Sequence, residues 1–338
     1  MPRARTAIEP LFLVVNKPVG LSSHDAVAIL RAVTGIKKIG HTGTLDPFAT
    51  GVLPLAIGTA TRLIHFLPED FKTYVATLQL GQATDTGDCE GQLIAEKPHN
   101  ALTPSQINSV FESFLGAQLQ TPPAYSALKV NGRRAYEYAR AGESVSLEPR
   151  PITIQSLKLL DYSGSTIRFS TKVSKGTYVR TLGEDIALKL GTVGHLTALQ
   201  RIQSGPFELN SALSFEQLAE FVSPGHSWES AFLSPRAQRP PRLSRSIVRE
   251  QLMSQWLKPS SVFRSFPKFE LSDFGAKLAQ NGNVPSELPS ATTAHLLLMH
   301  QDKLIAICTR EEISGEWTDK WKLGRVISSS AVSIQSVQ

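Results

Sequence analysis

The stretch GHTGTLDP, Gly40 to Pro47, combines residue types that could do nucleophilic or acid–base chemistry. It holds one carboxylate, Asp46, and one imidazole, His41, and it has too few apolar side chains to build a core. The proline disfavours helical geometry for the residue before it, and glycines at 40 and 43 permit backbone angles that other residues resist. We therefore expect a loop that holds the Asp46 carboxylate in a set position before the helix-like stretch ATGVLPLAIG. The alternative is that Asp46 merely caps that helix while His41 packs beneath it.

Two further stretches carry side chains that could act with this carboxylate. In SKGTYVRTL, Ser174 to Leu182, Arg180 offers the permanently charged partner that a buried aspartate needs. Tyr178 of the same stretch offers a ring as a wall and a hydroxyl as a polar group. In FKTYVATLQLG, Tyr74 is expected to lie on the opposite face of a half-buried strand from Val75.

Composition and charge set bounds on the class of protein. The chain has 338 residues, of which 41% are hydrophobic and 19% charged, and this is typical of one large domain plus a small one, or of two comparable domains. A net charge of +6 fits a polyanionic partner, but it also occurs in proteins that bind no nucleic acid. Cys89 and Cys308 lie far apart without a CxxC pair, which argues against a disulfide framework and a thiolate zinc site.

Targeting signals are not apparent in the sequence. No apolar run approaches the roughly 18 residues of a membrane span, and the early run LFLVV is too short for the core of a signal peptide. We therefore expect a reduced, cytoplasmic protein that does not associate with membranes.

Several periodic segments predict the elements that must position these side chains. LFLVV is typical of a buried strand, and Ser22 with Asp25 has capping-box spacing ahead of a helix that Gly35 would end. Thr103, Pro104 and Gln106 predict the start of a second helix, with Gly116 as its stop. KTYVATLQL, ITIQSLKLL and TIRFSTKV alternate like strands, and the Asn-Gly pair of KVNGRR predicts a tight hairpin.

These elements intermix without a repeating βαβ unit, so the sequence predicts an α+β fold with a mixed sheet flanked by helices. Beyond about residue 222 the composition changes, with arginine at 236, 239, 242 and 245 and prolines nearby. This segment favours a solvated, semi-extended linker, and the alternative is a basic arm that faces nucleic acid. Short apolar runs after Pro267 predict a small β-rich domain, and SSSAVSIQSVQ predicts a frayed tail.

Six stretches together resemble a known family. NKPVGLSS, GHTGTLDPFATGVLPLAIGTAT, GQATDTGDCEG, TPPAYSALKVNGRRAYEYAR, SKGTYVRTLGEDI and HLTALQRIQSGPF occur in this order. They closely resemble the bacterial pseudouridine synthases that modify uridine 55 in the T-loop of tRNA, the TruB family. The resemblance runs from about Leu11 to Phe207, and from about Leu257 to Val326 the chain resembles the PUA domain of that family.

The resemblance implies a catalytic role for Asp46 and places Arg180 against its carboxylate. Pseudouridine formation breaks the bond between ribose and N1 of uridine and rejoins the base through C5, so it needs one ionised carboxylate and neither cofactor nor metal. The sequence leaves open whether Asp46 attacks ribose C1′, attacks uracil C6 or removes a 2′ proton.

The remaining site residues are also implied by the resemblance. Tyr74 would stack on the flipped uracil, His41 would fill the gap left in the T-loop, and Tyr178 and Leu199 would wall the pocket. Lys17 and Lys129 would lie near the RNA, with simple phosphate contacts as the alternative to a specific role. Asp85 and Asp88 resemble metal ligands at first sight, but no histidine lies near them and we expect a structural turn.

The predicted organisation is a pseudouridine synthase domain at 1–222, an inserted basic, proline-rich linker at 223–256, a PUA-like RNA-binding domain at 257–328 and a tail at 329–338. Val173 and Gln200 depart mildly from the family pattern, and the loss of an arginine at 200 weakens at most one phosphate contact. The expected partner is the T-arm of tRNA, bound by a monomer. Two alternatives stay open: a non-catalytic RNA-binding or tRNA-folding protein, and a guide-RNA-dependent relative.

Overall fold

The computed structural model of the chain describes residues 10–68, 71–313 and 315–327. The tail expected at residues 329–338 lies outside these ranges. The strands are β1 (Leu11–Lys17), β2 (Ile39–His41), β3 (Thr50–Ile57), β4 (Lys72–Leu80), β5 (Gln82–Thr84), β6 (Leu93–Glu96), β7 (Gly116–Gln120), β8 (Lys129–Val130), β9 (Arg133–Arg134), β10 (Arg150–Ser163), β11 (Thr166–Val173), β12 (Gly194–Ser204), β13 (Phe207–Glu208), β14 (Leu213–Ser214), β15 (Lys268–Glu270), β16 (His295–His300), β17 (Lys303–Ile313) and β18 (Glu316–Val326). The α-helices are α1 (Ser23–Thr34), α2 (Pro104–Glu112), α3 (Ala135–Arg140), α4 (Val179–Lys189), α5 (Phe215–Val222), α6 (Trp228–Phe232), α7 (Arg245–Gln251), α8 (Pro259–Val262) and α9 (Asp273–Gln280).

The larger sheet has the strand order β14-β1-β3-β12-β4-β11-β10-β7, with β2 paired to β3 and β13 paired to β12. The pairs β1–β14 and β3–β12 are parallel, whereas β1–β3, β12–β4 and β4–β11 are antiparallel. The α+β fold with a mixed sheet is therefore confirmed.

The stretch ATGVLPLAIG is not a helix. It forms β3, in which every residue after Thr50 is buried. Leu53 and Leu55 face the main core, whereas Val52 and Ala56 face a second core. A strand covered on both faces shows no alternation of polar and apolar residues, and this is why the sequence pattern was misleading.

The two helix starts predicted from capping boxes are confirmed. Ser22 accepts from the amide of Asp25, the side chain of Asp25 accepts from the amide of Ser22, and Gly35 ends α1 with φ 71°. Thr103 and Gln106 form the same reciprocal pair at the start of α2. The predicted hairpin is also present, with β8 and β9 joined through Asn131 and Gly132, both at positive φ.

The solvated, semi-extended form that we expected within residues 223–256 is present only in part, since residues 239–244 are mostly exposed and form neither helix nor strand. The segment contains α6 and α7, and its side chains Phe232, Val248 and Leu252 are buried in the main core. These apolar residues are spaced among arginines and prolines, so the composition of the segment did not indicate that part of it is buried.

The predicted β-rich domain is confirmed as a sheet of order β15-β16-β17-β18 with α9 packed against it. It is joined to the larger sheet through the second core, where Phe12 and Val14 of β1 pack with Phe263, Leu297 and Ile307. Phe12 and Leu257 also exchange two backbone hydrogen bonds of 2.8 Å. Within the described ranges, no helix is long and apolar enough to cross a membrane.

Candidate active site

The loop between β2 and β3 presents Asp46, and each of its backbone carbonyls from residue 43 to 47 accepts a hydrogen bond. Arg201 donates to the carbonyls of Gly43 and Thr44 at 3.1 and 3.2 Å. The Ser23 hydroxyl donates to the carbonyl of Leu45 and accepts from its amide. The Asp46 carbonyl accepts from the amide of residue 49, and that of Pro47 accepts from the amide of residue 20. The loop is therefore fixed in place by the rest of the domain.

The expected role of glycine in this loop is wrong in its detail. Neither Gly40 nor Gly43 is among the glycines with positive φ. At Gly43 a Cβ atom would lie 3.2 Å from Nζ of Lys72, a tight contact with the end of a flexible side chain. Gly51, at the base of the loop, does need glycine: its φ is +102° and a Cβ would lie 2.2 Å from the carbonyl oxygen of Arg201.

Two fully buried cations support the loop from below. Arg201 is 0% exposed and also donates to the carbonyl of Val52 at 2.8 Å. Lys17 is 0% exposed, and its Nζ donates to the carbonyls of Pro18, Leu21 and Pro47. Burial lowers the pKa of Lys17 to about 8, although the charge of Asp46 opposes this. A phosphate contact through Lys17, as the sequence suggested, is not open to a side chain without exposed surface.

The expected pair of Asp46 and Arg180 is present. Nε of Arg180 lies 3.0 Å from Oδ2 of Asp46. The Arg180 side chain is 5% exposed and that of Asp46 is 37% exposed, so the carboxylate faces the surface while its partner is buried. The other carboxylate oxygen, Oδ1, accepts no hydrogen bond from the described residues.

Asp88 is a site residue that the sequence analysis missed. Its Oδ2 lies 3.3 Å from Nη1 of Arg180, and its side chain is 6% exposed. Arg180 also donates to the carbonyls of Thr86 and Tyr125 at 2.6 and 2.8 Å. The segment around Asp88 is indeed a turn, but it is one that orients the arginine. The signal available in the sequence was the crowding of Asp85 and Asp88, which we assigned to turn geometry alone.

The strand register brings Tyr74 and Leu199 to one face of the sheet. Tyr74 pairs with Arg201, and Ala76 pairs with Leu199, across β4 and β12. Tyr74 lies on the face opposite Val75, as expected, and this is the buried face: Tyr74 is 7% exposed and Leu199 6%. Arg201 connects this face to the Asp46 loop through its bonds to residues 43 and 44.

Tyr178 is the residue before α4 and is half-buried. Gln120, at the end of β7, accepts from the Tyr178 amide at 2.8 Å and donates to its carbonyl at 3.0 Å. Burial raises the pKa of the Tyr178 hydroxyl. Gln120 thus fixes the start of the helix that carries Arg180, a role that the sequence gave no means to predict.

His41 is at the end of β2, directly before the loop. Its ring meets that of His24 edge to face, with centroids 5.3 Å apart. Burial, the charge of His24 and that of Arg201 lower the pKa of His41, so the ring is neutral at pH 7. Its Nδ1 is buried and forms no hydrogen bond with any described residue.

Two more ionisable groups line the surroundings of the pair. Burial lowers the pKa of Lys72, which lies beside Gly43, to about 8. Glu184 is on α4 and lies against Gly87, and burial raises the pKa of its carboxyl to about 7. Lys129 is exposed on β8 and forms no side-chain hydrogen bond or ion pair with the described residues around Asp46.

No group of three or more His, Cys, Asp or Glu residues in the described ranges is arranged to hold a metal ion. The site consists of one half-exposed carboxylate, a buried arginine, and apolar and aromatic walls. Such a site can present an ionised oxygen to an unstacked ring while excluding much of the surrounding water.

Comparison with known proteins gives matches along most of the chain. Residues 31–179 match the model of the TruB family pseudouridylate synthase N-terminal domain, and residues 180–235 match that of the tRNA pseudouridylate synthase B C-terminal domain. The second match extends into the segment 223–256 that we expected to be an insertion. The site residues from His41 to Arg201 lie within these two matches, whereas Lys17, Ser23 and His24 precede them.

Curated relatives agree with these matches. The tRNA pseudouridine synthase B of Bacillus velezensis is 39% identical over 305 residues, which cover 88% of this chain and 89% of the relative. That of Geobacillus kaustophilus is 41% identical over 277 residues, which cover 80% of this chain and 88% of the relative.

Solved structures support the fold. A Cbf5-Nop10-Gar1 complex contains a chain that is 22% identical, with a TM-score of 0.64 over 94% of this chain and 85% of that chain. The archaeal box H/ACA sRNP Nop10-Cbf5 complex gives 21% identity and a TM-score of 0.62 over 95% and 87%. With relatives of this identity and coverage and a shared fold, the chain belongs to the TruB family of pseudouridine synthases, and it is an isomerase.

Proposed function

We propose that this chain isomerises uridine 55 in the T-loop of tRNA to pseudouridine, without a cofactor, and that Asp46 is the catalytic carboxylate. The observation that carries the proposal is the Asp46–Arg180 pair, with one buried and one surface-facing member. Curated relatives that align with most of the chain are named tRNA pseudouridine synthase B, and this favours tRNA as the substrate.

The reaction conserves all atoms of the substrate. The bond between N1 and ribose C1′ breaks, a bond between C5 and C1′ forms, the proton on C5 leaves and N1 gains a proton. The protein must supply a nucleophile or base at the separating bond and must hold the detached base. Arg180 engages Oδ2 of Asp46, so the unengaged Oδ1 is the oxygen that meets the substrate. A buried donor of this kind is already in place before the reaction, so no free energy is needed to orient the carboxylate during it.

The target base must leave its stack, and this costs a few kcal/mol. Stacking on aromatic side chains returns about 1–3 kcal/mol per base. Tyr74 and Leu199 lie on one buried face of the sheet, next to the arginine that supports the Asp46 loop. We assign the flipped uracil to this face, with Tyr178 as a further wall.

His41 is assigned to the space that the flipped uridine leaves. The ring is neutral at pH 7 because its pKa is lowered, and a neutral ring stacks among bases without carrying a charge into them. Its buried Nδ1 has no hydrogen-bond partner among the residues that the structure describes, so a polar atom of the RNA would satisfy it on binding.

The test is release of tritium from T-arm RNA labelled at C5 of its uridines. The wild-type protein is expected to release tritium, and Asp46→Asn is expected to lose about 10²-fold or more in rate, as is typical when an acid–base group is removed. Asp161→Asn, on β10, is the matched control and should retain the wild-type rate. T-arm RNA that has cytidine at position 55 and tritium at C5 of its remaining uridines should release no tritium.

Failure of wild-type protein to release tritium, or full activity of Asp46→Asn, would overturn the proposal. A non-catalytic RNA-binding or tRNA-folding protein would give the first result while still binding T-arm RNA. A guide-RNA-dependent enzyme would release tritium only after a guide RNA is added.

A further inference from the structure

Four arginines surround one cavity at the end of α1 that is remote from the Asp46 loop. The cavity has a volume of about 500 Å³ and is lined by Ala32, Arg236, Arg239, Pro240, Arg242 and Arg245. All four arginines are exposed. The lining contains no carboxylate, and none of the four forms a salt bridge with a carboxylate of the described residues.

Backbone contacts account for only part of their hydrogen-bonding capacity. Arg239 donates to the Ser234 carbonyl at 2.8 Å, Arg242 to that of Ala231 at 2.7 Å, and Arg245 to that of Ala32 at 3.2 Å. A guanidinium has five N–H donors, so most donors remain open in these three side chains. These bonds hold the side chains at the cavity without neutralising their charge.

The positive charges act on each other. Burial and the charge of Arg239 lower the pKa of Arg242. Cations brought together without acids destabilise the protein unless an anion binds between them. Lys37 and Lys38 lie three and four residues after the end of α1 and are also exposed, so further positive charge lies near the same helix end.

The arginine cavity and the Asp46 loop lie at opposite ends of α1. Ser23, near the first turn of α1, holds the Asp46 loop, whereas Ala32, in the last turn, lines the arginine cavity. Nine residues of helix separate them by about 14 Å. That distance corresponds to roughly four nucleotide steps at about 3.4 Å each along one strand. A strand of about four nucleotides is therefore as long as the part of α1 that lies between the Asp46 loop and the arginine cavity.

We propose that this arginine cavity binds the phosphate backbone of the RNA substrate away from the target nucleotide. The inference rests on the proposed function for the identity of the RNA. Arginine suits the role because its planar donors meet phosphate oxygens in pairs. The arginine-rich part of the segment 223–256 thus becomes an extension of the RNA-binding surface.

The test compares two double variants of equal charge change. Arg236→Glu/Arg239→Glu reverses the charge of two of the four arginines. Lys158→Glu/Arg168→Glu, at exposed positions on β10 and β11, is the matched control. The Kd for unlabelled full-length tRNA is measured from 50 to 200 mM salt. Tritium release at saturating RNA and thermal unfolding are measured for the same proteins.

We expect the arginine variant to weaken tRNA binding at least tenfold and to reduce the salt slope by about 1.4, corresponding to two phosphates. Its rate at saturating RNA should stay at the wild-type value, and the control should match wild type throughout. An unchanged Kd and slope in a folded variant would overturn the inference. Saturable binding of inorganic phosphate that is lost in the variant, with tRNA binding unchanged, would identify a small-anion site and overturn it equally.

These outcomes separate the inference from the proposed function. If the wild-type protein binds tRNA through the arginines but releases no tritium, the proposed function fails and the RNA contact stands. If the wild-type protein releases tritium and the arginine variant binds tRNA normally, the proposed function stands and the RNA contact through the arginines fails.

Discussion

Nε of Arg180 lies 3.0 Å from Oδ2 of Asp46, although 133 residues separate the two in the chain. Arg180 is itself fixed by Asp88 and by the carbonyls of Thr86 and Tyr125. The orientation of the half-exposed carboxylate therefore depends on a buried group that is held from three other directions.

This arrangement predicts a coupling between Arg180 and Asp88. Arg180→Met should lower the free energy of unfolding by about 3–5 kcal/mol, since it leaves the buried Asp88 carboxylate without its oppositely charged partner. Asp88→Asn/Arg180→Met should recover part of this loss because it also removes the unpaired charge. Urea unfolding of the two single variants and the double variant measures the coupling. Additive effects would show that the two side chains do not depend on each other.

The sequence predicted the pair itself, because both residues lie in stretches that resemble a known family. It did not predict Arg201 or Asp88, whose roles depend on contacts across the sheet and between distant loops. The sequence analysis also placed Lys17 near the RNA. A sequence does not distinguish an exposed lysine from one whose amine is buried against three backbone carbonyls, as that of Lys17 is. Strand β3 was misassigned for a related reason: burial on both faces removes the periodicity that identifies a strand.

Lys17 is predicted to act on the loop and not on RNA. Lys17→Met should lower the free energy of unfolding by about 2–4 kcal/mol at pH 7, because the carbonyls of Pro18 and Leu21 lose a donor. The salt slope of tRNA binding should not change, whereas loss of a phosphate contact would reduce it by about 0.7. Chemical denaturation and filter binding across a salt series measure the two effects.

The pH dependence of this variant follows from the lowered pKa of Lys17. The folded protein releases the Lys17 proton near pH 8, whereas the unfolded chain keeps it to about 10.5. The unfolded state thus binds more protons between these values, so this group makes the wild type more stable as pH rises from 8 to 10.5. Lys17→Met should lack that increase. The difference in free energy of unfolding between wild type and Lys17→Met should therefore widen from pH 8 to pH 10.5.

Lys72 is predicted to make RNA binding sensitive to mildly alkaline pH. Its Nζ lies beside the Asp46 loop and its pKa is about 8, so its positive charge is largely lost by pH 9. The salt slope of tRNA binding should fall by about 0.7 between pH 7 and pH 9 in the wild type. Lys72→Arg keeps its charge over this range and should show a smaller fall.

The comparison isolates Lys72 because Lys17 and Glu184, whose pKa values are about 8 and 7, titrate alike in both proteins. Equal slopes for wild type and Lys72→Arg at pH 9 would mean that Lys72 does not contact the RNA.

Gly51 is predicted to be the glycine on which the loop depends most. A Cβ at this position would lie 2.2 Å from the Arg201 carbonyl oxygen, in the parallel pairing of β3 with β12, and φ is +102°. Gly51→Ala should therefore cost more than about 4 kcal/mol and displace the strand that follows Asp46. Gly164→Ala is the control: φ is +58° but nothing lies within 4 Å, so only the backbone strain of about 1–2 kcal/mol is expected. Equal losses in chemical denaturation would show that backbone angle, and not the contact of β3 with Arg201, sets the requirement for glycine.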